Sequence, residues 1–144
     1  MDRPLTLPDG IDDIVENFSF LEDWEDRYGY LIELGNALTP VPESQMIDAN
    51  KVQGCVSQVW LISDYENGKL YFNGASDAHI VRGLVAVALS IFSDKTPAEI
   101  AELDEQETFV AIGLSEHLTP QRSNGLKSLV GKIKSIAQVA LAST

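Results

Sequence analysis

The sequence is short of the residues that form covalent cross-links and metal sites. Its 144 residues include one cysteine, Cys55, and two histidines, His79 and His117. A single cysteine cannot form a disulfide within the chain. One thiol and two imidazoles are also too few soft ligands for a structural zinc site or for an iron–sulfur cluster held by this chain alone. We therefore expect no metal and no cofactor, and any sulfur chemistry has to use the one thiol.

Long apolar runs and positive charge are scarce as well. The longest apolar runs, such as residues 83–89, are too short to cross a bilayer, and the N-terminal residues lack the pattern of a signal or transit peptide. The net charge is −12, and residues 1–50 hold twelve acidic residues against Arg3 and Arg27. This surface would repel a phosphate backbone. We expect a cytoplasmic protein that binds neither membranes nor nucleic acid, whose acidic first third is a solvated helical face or a docking surface for a basic protein.

What remains is the composition of an ordinary globular protein. Hydrophobic residues make up 44% of the chain and charged residues 22%, which argues against disorder. A chain of 144 residues has the size of one domain with a continuous core. We therefore expect a single domain over residues 1–144.

The periodicity of apolar residues predicts two helices at the start of the chain. One runs from about Asp9 to Phe18, and the second carries an apolar stripe from Trp24 to Leu38 with acidic residues in its first turn. Residues 39–51 have two prolines and no regular period, so they are predicted to form an extended connection over the surface.

The middle of the chain is typical of a small antiparallel sheet. Short strands are predicted at Val52–Gln53, at 58–65 and at 69–73. Asn67-Gly68 favours a type I′ turn, because both central residues of that turn need φ > 0, and it places Glu66 opposite Lys69.

Helices are predicted for the rest of the chain. The most apolar of them runs from about Ser76 or Asp77 to Phe92, and Gly83 within it indicates close packing. A capping box at residues 96–99 opens a short helix to about Leu103. A short helical turn around Phe109 and Ile112 ends at Gly113, and a last helix opens at Thr119-Pro120. The order predicts an α+β fold in which helices pack on one face of a three-stranded antiparallel meander.

Four ordered motifs between Trp24 and Ile133 make the chain resemble the SufE family of sulfur acceptors. The motifs have compatible spacings, and the resemblance covers nearly the whole chain from Trp24 to Ile133. Val56 departs from the pattern, since glutamine is common there in the family, which affects only a polar contact beside the thiol. The motifs are Asn50-x-Val52-x-Gly54-Cys55-x-Ser57-Gln58-Val59-Trp60, Gly74-x-Ser76-Asp77-Ala78-x-Ile80-Val81-x-Gly83-Leu84, Thr96-Pro97-x-Glu99-Ile100 and His117-Leu118-Thr119-Pro120-x-Arg122-Ser123-x-Gly125-Leu126.

The resemblance implies an IscU-like α+β fold and a role in sulfur transfer. Proteins similar to this one accept sulfur from a pyridoxal-phosphate cysteine desulfurase of the SufS type, stimulate it, and pass the sulfur toward iron–sulfur scaffold proteins. The close paralogue CsdE, which serves a CsdA-type desulfurase, is an open alternative. A free-standing enzyme with a cysteine nucleophile is a weaker one, because neither histidine lies in a segment that would orient it as a base.

The resemblance also assigns roles to residues, beginning with Cys55 as the thiol that accepts the persulfide sulfur. Gly54 beside it allows a left-handed backbone at the start of a loop. We expect that loop to hold Cys55 against apolar neighbours and to swing it out at the partner. Ser57 follows the thiol in the same motif.

Charged residues of the other motifs are the candidates to support the thiol. Arg122 is the cation most expected near the site, where a positive charge would favour the thiolate. For Arg82, inside a helix, a structural role is at least as reasonable. Asp77 either supports the site or caps the central helix. His117 fits a hydrogen-bonded histidine near a helix terminus better than it fits a general base.

Overall fold

The computed structural model describes residues 11–54, 58–114 and 118–142. The α+β order of its elements confirms the predicted fold class. No helix among the described residues is long and apolar enough to cross a membrane. The elements are α1 (Ile11–Ser19), α2 (Trp24–Asn36), two short 3-10 helices (Glu43–Gln45 and Asp48–Asn50), β1 (Val59–Glu66), β2 (Lys69–Ser76), α3 (His79–Phe92), α4 (Pro97–Glu102), α5 (Glu105–Ala111) and α6 (Pro120–Ala142).

The β1–β2 hairpin has the predicted turn and register. Asn67 and Gly68 have φ values of 53° and 80°, so the turn is built from two left-handed residues, as the Asn-Gly pair requires. Glu66 lies opposite Lys69, and the pairing continues to Val59 opposite Ser76. The second strand is therefore three residues longer than predicted, and its end lies beside the start of the first.

The predicted third strand at Val52–Gln53 is wrong. Among the described residues the sheet has two strands, and the preceding segment adds only an isolated bridge between Lys51 and Trp60. The Val52 amide donates a hydrogen bond of 2.8 Å to the Val59 carbonyl, and the chain then turns at Gln53 and Gly54. One ladder step is too little for a strand, so the segment touches the sheet and leaves it.

The connection after α2 is more structured than predicted and covers the second face of β2. It contains both 3-10 helices, and Val41 within it is buried. The Asn73 side chain, which is 2% exposed, donates a hydrogen bond of 2.8 Å to the Thr39 carbonyl. Since β2 has α3 on its other face, almost every residue of this strand is buried, whichever way its side chain points.

Helix α3 is the centre of the core and lies unusually close to α2. Nearly all of its residues from Gly83 to Phe92 are buried. A Cβ added at Gly83 would overlap the Leu31 carbonyl oxygen of α2, and one added at Gly35 would lie 2.8 Å from the Gly83 amide nitrogen. The two helix backbones meet at these glycines, which confirms the prediction that Gly83 is a close-packing position.

The capping box at the start of α4 is confirmed. Thr96 Oγ1 accepts a hydrogen bond from the Glu99 amide, and the Glu99 carboxylate accepts one from the Thr96 amide. The hydrogen bond from the Thr96 backbone is the main reason that the pKa of Glu99 is lowered. The short helical turn predicted near Phe109 is a seven-residue helix, α5, whose start is capped by Asp104.

The contact of α3 with α2 can be tested with two glycine substitutions. Gly83→Ala should lower the free energy of unfolding by at least about 2 kcal/mol, because the new methyl group meets backbone that cannot move aside. Gly29→Ala, also on a helix but with nothing within 4 Å of the new Cβ, should be neutral or raise stability by about 0.5–1 kcal/mol. Urea unfolding of both variants measures the difference. Equal midpoints for the two would contradict the close contact.

Candidate functional site

Three of the predicted site residues, Cys55, Ser57 and His117, lie outside the described residues. The structure does describe the chain on both sides of Cys55. We call residues 53–58 the Cys55 segment. The hydrogen bond from the Val52 amide to the Val59 carbonyl joins the residues that flank this segment, and both valines are 2% exposed. The Cys55 segment therefore begins and ends at one buried point, which we call its neck.

The first arm of the Cys55 segment rests on helix α6. Gly54 has a φ of 90°, in the left-handed region expected for it. A Cβ added at Gly54 would lie 2.6 Å from the Ser128 hydroxyl oxygen of α6, so a larger residue would be strained in its backbone and would also displace Ser128. Glycine at this position thus permits both the turn and the close approach to α6.

The second arm is held by Asp77. Its Oδ1 accepts a hydrogen bond of 3.1 Å from the Gln58 amide, and its own amide lies 3.4 Å from the Gln58 carbonyl oxygen. This pair continues the β1–β2 ladder one step beyond Val59 and Ser76, with a carboxylate in place of a backbone carbonyl. A bond to a carboxylate is stronger than one between neutral groups, so Asp77 is a firm anchor for the arm.

The alternative role of Asp77 as a helix cap is wrong. The N-cap of α3 is Ala78, which has no side-chain cap, and the Ala78 amide donates to the Ser76 hydroxyl. The helix starts at His79, two or three residues later than predicted, because β2 continues through Ser76 and the Asp77 carboxylate is engaged with Gln58.

A cavity of about 250 Å³, partly open to the surface and lined by both apolar and polar side chains, lies beside the neck. Val59 is part of its wall, and Leu129 next to Ser128 is another part. Helices α3 and α6 supply most of the remaining surface. Its lining consists of Val59, Val81, Leu84, Val85, Thr119, Gln121, Arg122, Gly125, Leu126 and Leu129.

Arg122 brings the only charged side chain among the described residues that line this cavity. Among the described residues we find no hydrogen-bond or ion-pair partner for its guanidinium; its backbone amide is 3.3 Å from the Thr119 hydroxyl at the start of α6. The structure therefore brings Gly54, Asp77 and Arg122 to one region around the neck. An arginine at the edge of an apolar space can attract an anion there without burying a counter-charge of its own.

Arg82 does not line this cavity. Its Nη2 donates a hydrogen bond of 3.0 Å to the Ser76 carbonyl, which ties α3 to the end of β2. It lines a different cavity, bounded by Thr39, Met46 and Gly74 among others. Among the described residues there is no cluster of three or more His, Cys, Asp or Glu side chains that could hold a metal ion.

Sequence reasoning missed two contributions to the site. Ser128, which lies against Gly54, belongs to none of the sequence motifs. The hydrogen bond between Val52 and Val59 was not predicted as a closure of the Cys55 segment, because Val52 was predicted to lie in a strand. Thr119 was expected to open the last helix, and it does so while lining the cavity as well.

Comparison with known proteins gives consistent results. Residues 12–137 match the SufE family, described as an Fe–S metabolism associated domain. The chain is 53% identical over 132 residues to an uncharacterized SufE-like protein of Rhizobium meliloti, covering 89% of this chain and 94% of that protein. It is also 53% identical over 136 residues to an uncharacterized SufE-like protein of Rhizobium etli, covering 92% of each.

The fold also has a solved counterpart. The solution structure of a hypothetical protein from Thermus thermophilus superposes with a TM-score of 0.74 at 22% identity, covering 95% of this chain and 99% of that one. At this identity the likeness concerns the fold alone.

The anchoring of the second arm by Asp77 leads to a prediction about the reactivity of the thiol. Asp77→Ala removes the acceptor of the Gln58 amide, so Cys55 should react with iodoacetamide about three- to tenfold faster. Asp77→Asn keeps an oxygen in place and should react at nearly the original rate. Because the chain has one cysteine, the mass of the intact protein reports the reaction directly. Identical rates for the alanine variant and the unmodified protein would rule out the anchor.

Proposed function

Since the chain belongs to the SufE family, we propose that it accepts sulfur from a pyridoxal-phosphate cysteine desulfurase, stimulates that enzyme, and carries the sulfur as a persulfide on Cys55 toward iron–sulfur cluster assembly. The observation that supports this proposal is the cavity beside the neck, where the chain enters and leaves the Cys55 segment. A persulfide is readily lost to other thiols and oxidants. A partly enclosed space would slow the access of small thiols and so lengthen its lifetime between donor and acceptor.

The transfer is a thiol–disulfide exchange in its chemistry. The Cys55 thiolate attacks the terminal sulfur of the persulfide on the desulfurase. A sulfur–sulfur bond forms at Cys55, the sulfur–sulfur bond on the desulfurase breaks, and the desulfurase cysteine leaves as a thiolate. Two thiol groups and one transferred sulfur are present before and after, so no outside oxidant or reductant is needed.

Each residue at the neck has its own role in the transfer of sulfur. Gly54 and Asp77 define where the Cys55 segment leaves and rejoins the fold, so the segment can open without disturbing β1 and β2. Arg122 supplies positive charge at the cavity, which favours the thiolate form of an attacking cysteine. Ser57 and His117 stay in the proposal as neighbours of the site in the family motifs, with His117 in a structural role.

The proposed partners follow from this chemistry. The donor is a cysteine desulfurase of the SufS or the CsdA type, and the next acceptor is a scaffold protein for iron–sulfur assembly. The protein would act as a carrier and not as an enzyme in its own right. A cytoplasmic location fits, because a reducing compartment keeps a single thiol free.

The direct test is mass spectrometry of the chain after incubation with a cysteine desulfurase and cysteine. The account predicts one added sulfur atom on Cys55, no addition to a Cys55→Ser variant, and faster cysteine turnover by the desulfurase when the unmodified chain is present. No added sulfur in a mixture where the desulfurases of both types are active would refute the carrier. A free-standing cysteine enzyme would instead form an adduct with its own substrate and need no desulfurase.

The role of Arg122 makes a separate prediction. Arg122→Ala should slow the transfer of sulfur to Cys55 about three- to tenfold, since the cation no longer favours the thiolate, while the urea midpoint stays the same. Lys127→Ala removes a cation from the exposed side of the same helix and is the matched control. Single-turnover transfer rates measure both. If neither substitution changed the transfer rate, Arg122 would have no part in sulfur transfer.

A further inference from the structure

An open groove of about 570 Å³ lies where the end of helix α1 meets the exposed face of α2. Asp26, Gly29, Tyr30 and Glu33 line it at helical spacing along α2. A Cβ added at Gly29 would have nothing within 4 Å, so this face of the helix is open at its middle. The groove shares no residue with the cavity beside the neck, and sulfur transfer assigns it no role.

Phe20, which also lines the groove, is 74% exposed and is the most exposed large apolar side chain among the described residues. Its backbone is held by hydrogen bonds. The Phe20 amide donates to the Asn17 carbonyl, and the next amide, of Leu21, donates to the Phe18 carbonyl. The Leu21 carbonyl accepts a hydrogen bond of 2.7 Å from Arg27 Nε. An exposed ring on a fixed turn can be covered by a partner with little loss of backbone freedom.

The groove also carries three carboxylates, and none of them has an ion-pair partner in the part of the chain that the structure describes. Glu25 and Asp26 lie in the first turn of α2, where the helix dipole favours acidic residues. Glu33 lies in the last turn, where the dipole disfavours negative charge and α2 has no basic residue. The stability of its own helix therefore does not explain Glu33.

Arg27, the one cation of α1 and α2, does not line the groove. Besides the bond of its Nε to Leu21, its guanidinium carbon lies 5.1 Å from the centre of the Trp24 ring. It thus uses the two contacts that suit an arginine, an aromatic face and an oxygen acceptor. The groove offers the same pair of contacts, the Phe20 ring and carboxylates, to a cation from outside the chain.

We propose that this groove is a docking site for a protein partner that presents arginine side chains on an amphipathic segment. The apolar side of the segment covers Phe20, and its guanidinium groups bind the carboxylates of α2. Charge complementarity favours such a partner, since residues 11–36 hold eight acidic residues against Arg27. The field of these charges would also steer a basic partner to this side of the molecule.

A second copy of this chain fits the groove less well. The net charge of −12 opposes the association of two copies. Helix α6 is rich in basic residues, but its Lys132 and Lys134 already bind carbonyl groups of their own chain. The committed occupant is therefore a different, basic protein.

The test is a titration of the full chain into a fluorescent synthetic helical peptide with arginines on one face and leucines on the other. A peptide with glutamates in place of the arginines is the reference. Phe20→Ala removes the exposed ring, and Val110→Ala on α5, where the side chain is 64% exposed, is its matched control. Fluorescence anisotropy measures the dissociation constant of each pair.

The charge contribution is tested with two double variants. Glu25→Gln with Glu33→Gln removes two charges from the groove, and Glu102→Gln with Glu107→Gln removes two charges from exposed positions outside it. Both have the same net charge, so an effect of net charge alone would be equal in the two. Urea midpoints close to that of the unmodified chain confirm that each variant is folded.

The expected result is that the arginine peptide binds and the glutamate peptide does not. Phe20→Ala should raise the dissociation constant at least about tenfold, and the groove double variant about three- to tenfold with a weaker dependence on salt. Both controls should stay within about twofold of the original. No binding of the arginine peptide, or an equal loss in the two double variants, would overturn the proposal.

Two further measurements identify the place and the occupant. Peptide binding should shift the amide resonance of Gly29 in NMR spectra, and shifts confined to other elements would contradict the groove. Sedimentation of the chain alone should show no self-association. A dimer that Phe20→Ala abolishes would mean that the occupant is a second copy, which overturns the proposal. Peptide binding needs neither Cys55 nor a desulfurase, so its outcome is independent of the test for sulfur transfer.

Discussion

The hydrogen bond from the Val52 amide to the Val59 carbonyl is the constraint on which the site depends. It brings together the two ends of the Cys55 segment at a point where both valines are buried in the core. Leaving a buried amide and a buried carbonyl without hydrogen-bond partners would cost free energy. The neck therefore stays closed while the rest of the core is intact.

The rest of the fold supports that constraint. Helix α3 packs closely against α2 at Gly83. Asp77, which follows the last residue of β2, holds the Gln58 amide. On the other side of the neck, helix α6 contacts Lys51 through Lys132 and approaches Gly54 at Ser128. The same helix places Arg122 in the lining of the cavity. For the proposed carrier, the chain has no second thiol that could resolve a persulfide on Cys55, so the sulfur would be retained until another protein removes it.

Features governed by local chemistry could be predicted from the sequence, and features that depend on distant contacts could not. Asn67-Gly68 determined the hairpin register, and Thr96 with Glu99 determined the start of α4, because each rule involves residues within one turn. The motifs also included Gly54, Asp77 and Arg122, which the fold brings to one region, and their part in a site stays a prediction. The second face of β2 is covered by the connection after α2, which has no regular spacing of apolar residues. Lys132 contacts carbonyls more than eighty residues away in the sequence. No local sequence pattern predicts either contact.

The central claim is that the fold shelters sulfur on Cys55, and the loss of that sulfur to a small thiol measures it most directly. The folded protein and a synthetic peptide of residues 50–60 would be loaded with sulfur by the same chemical donor and exposed to dithiothreitol. The closed neck and the cavity beside it predict release from the folded protein at least about tenfold slower than from the peptide. Equal rates would mean that the fold gives the persulfide no protection, and would contradict the account.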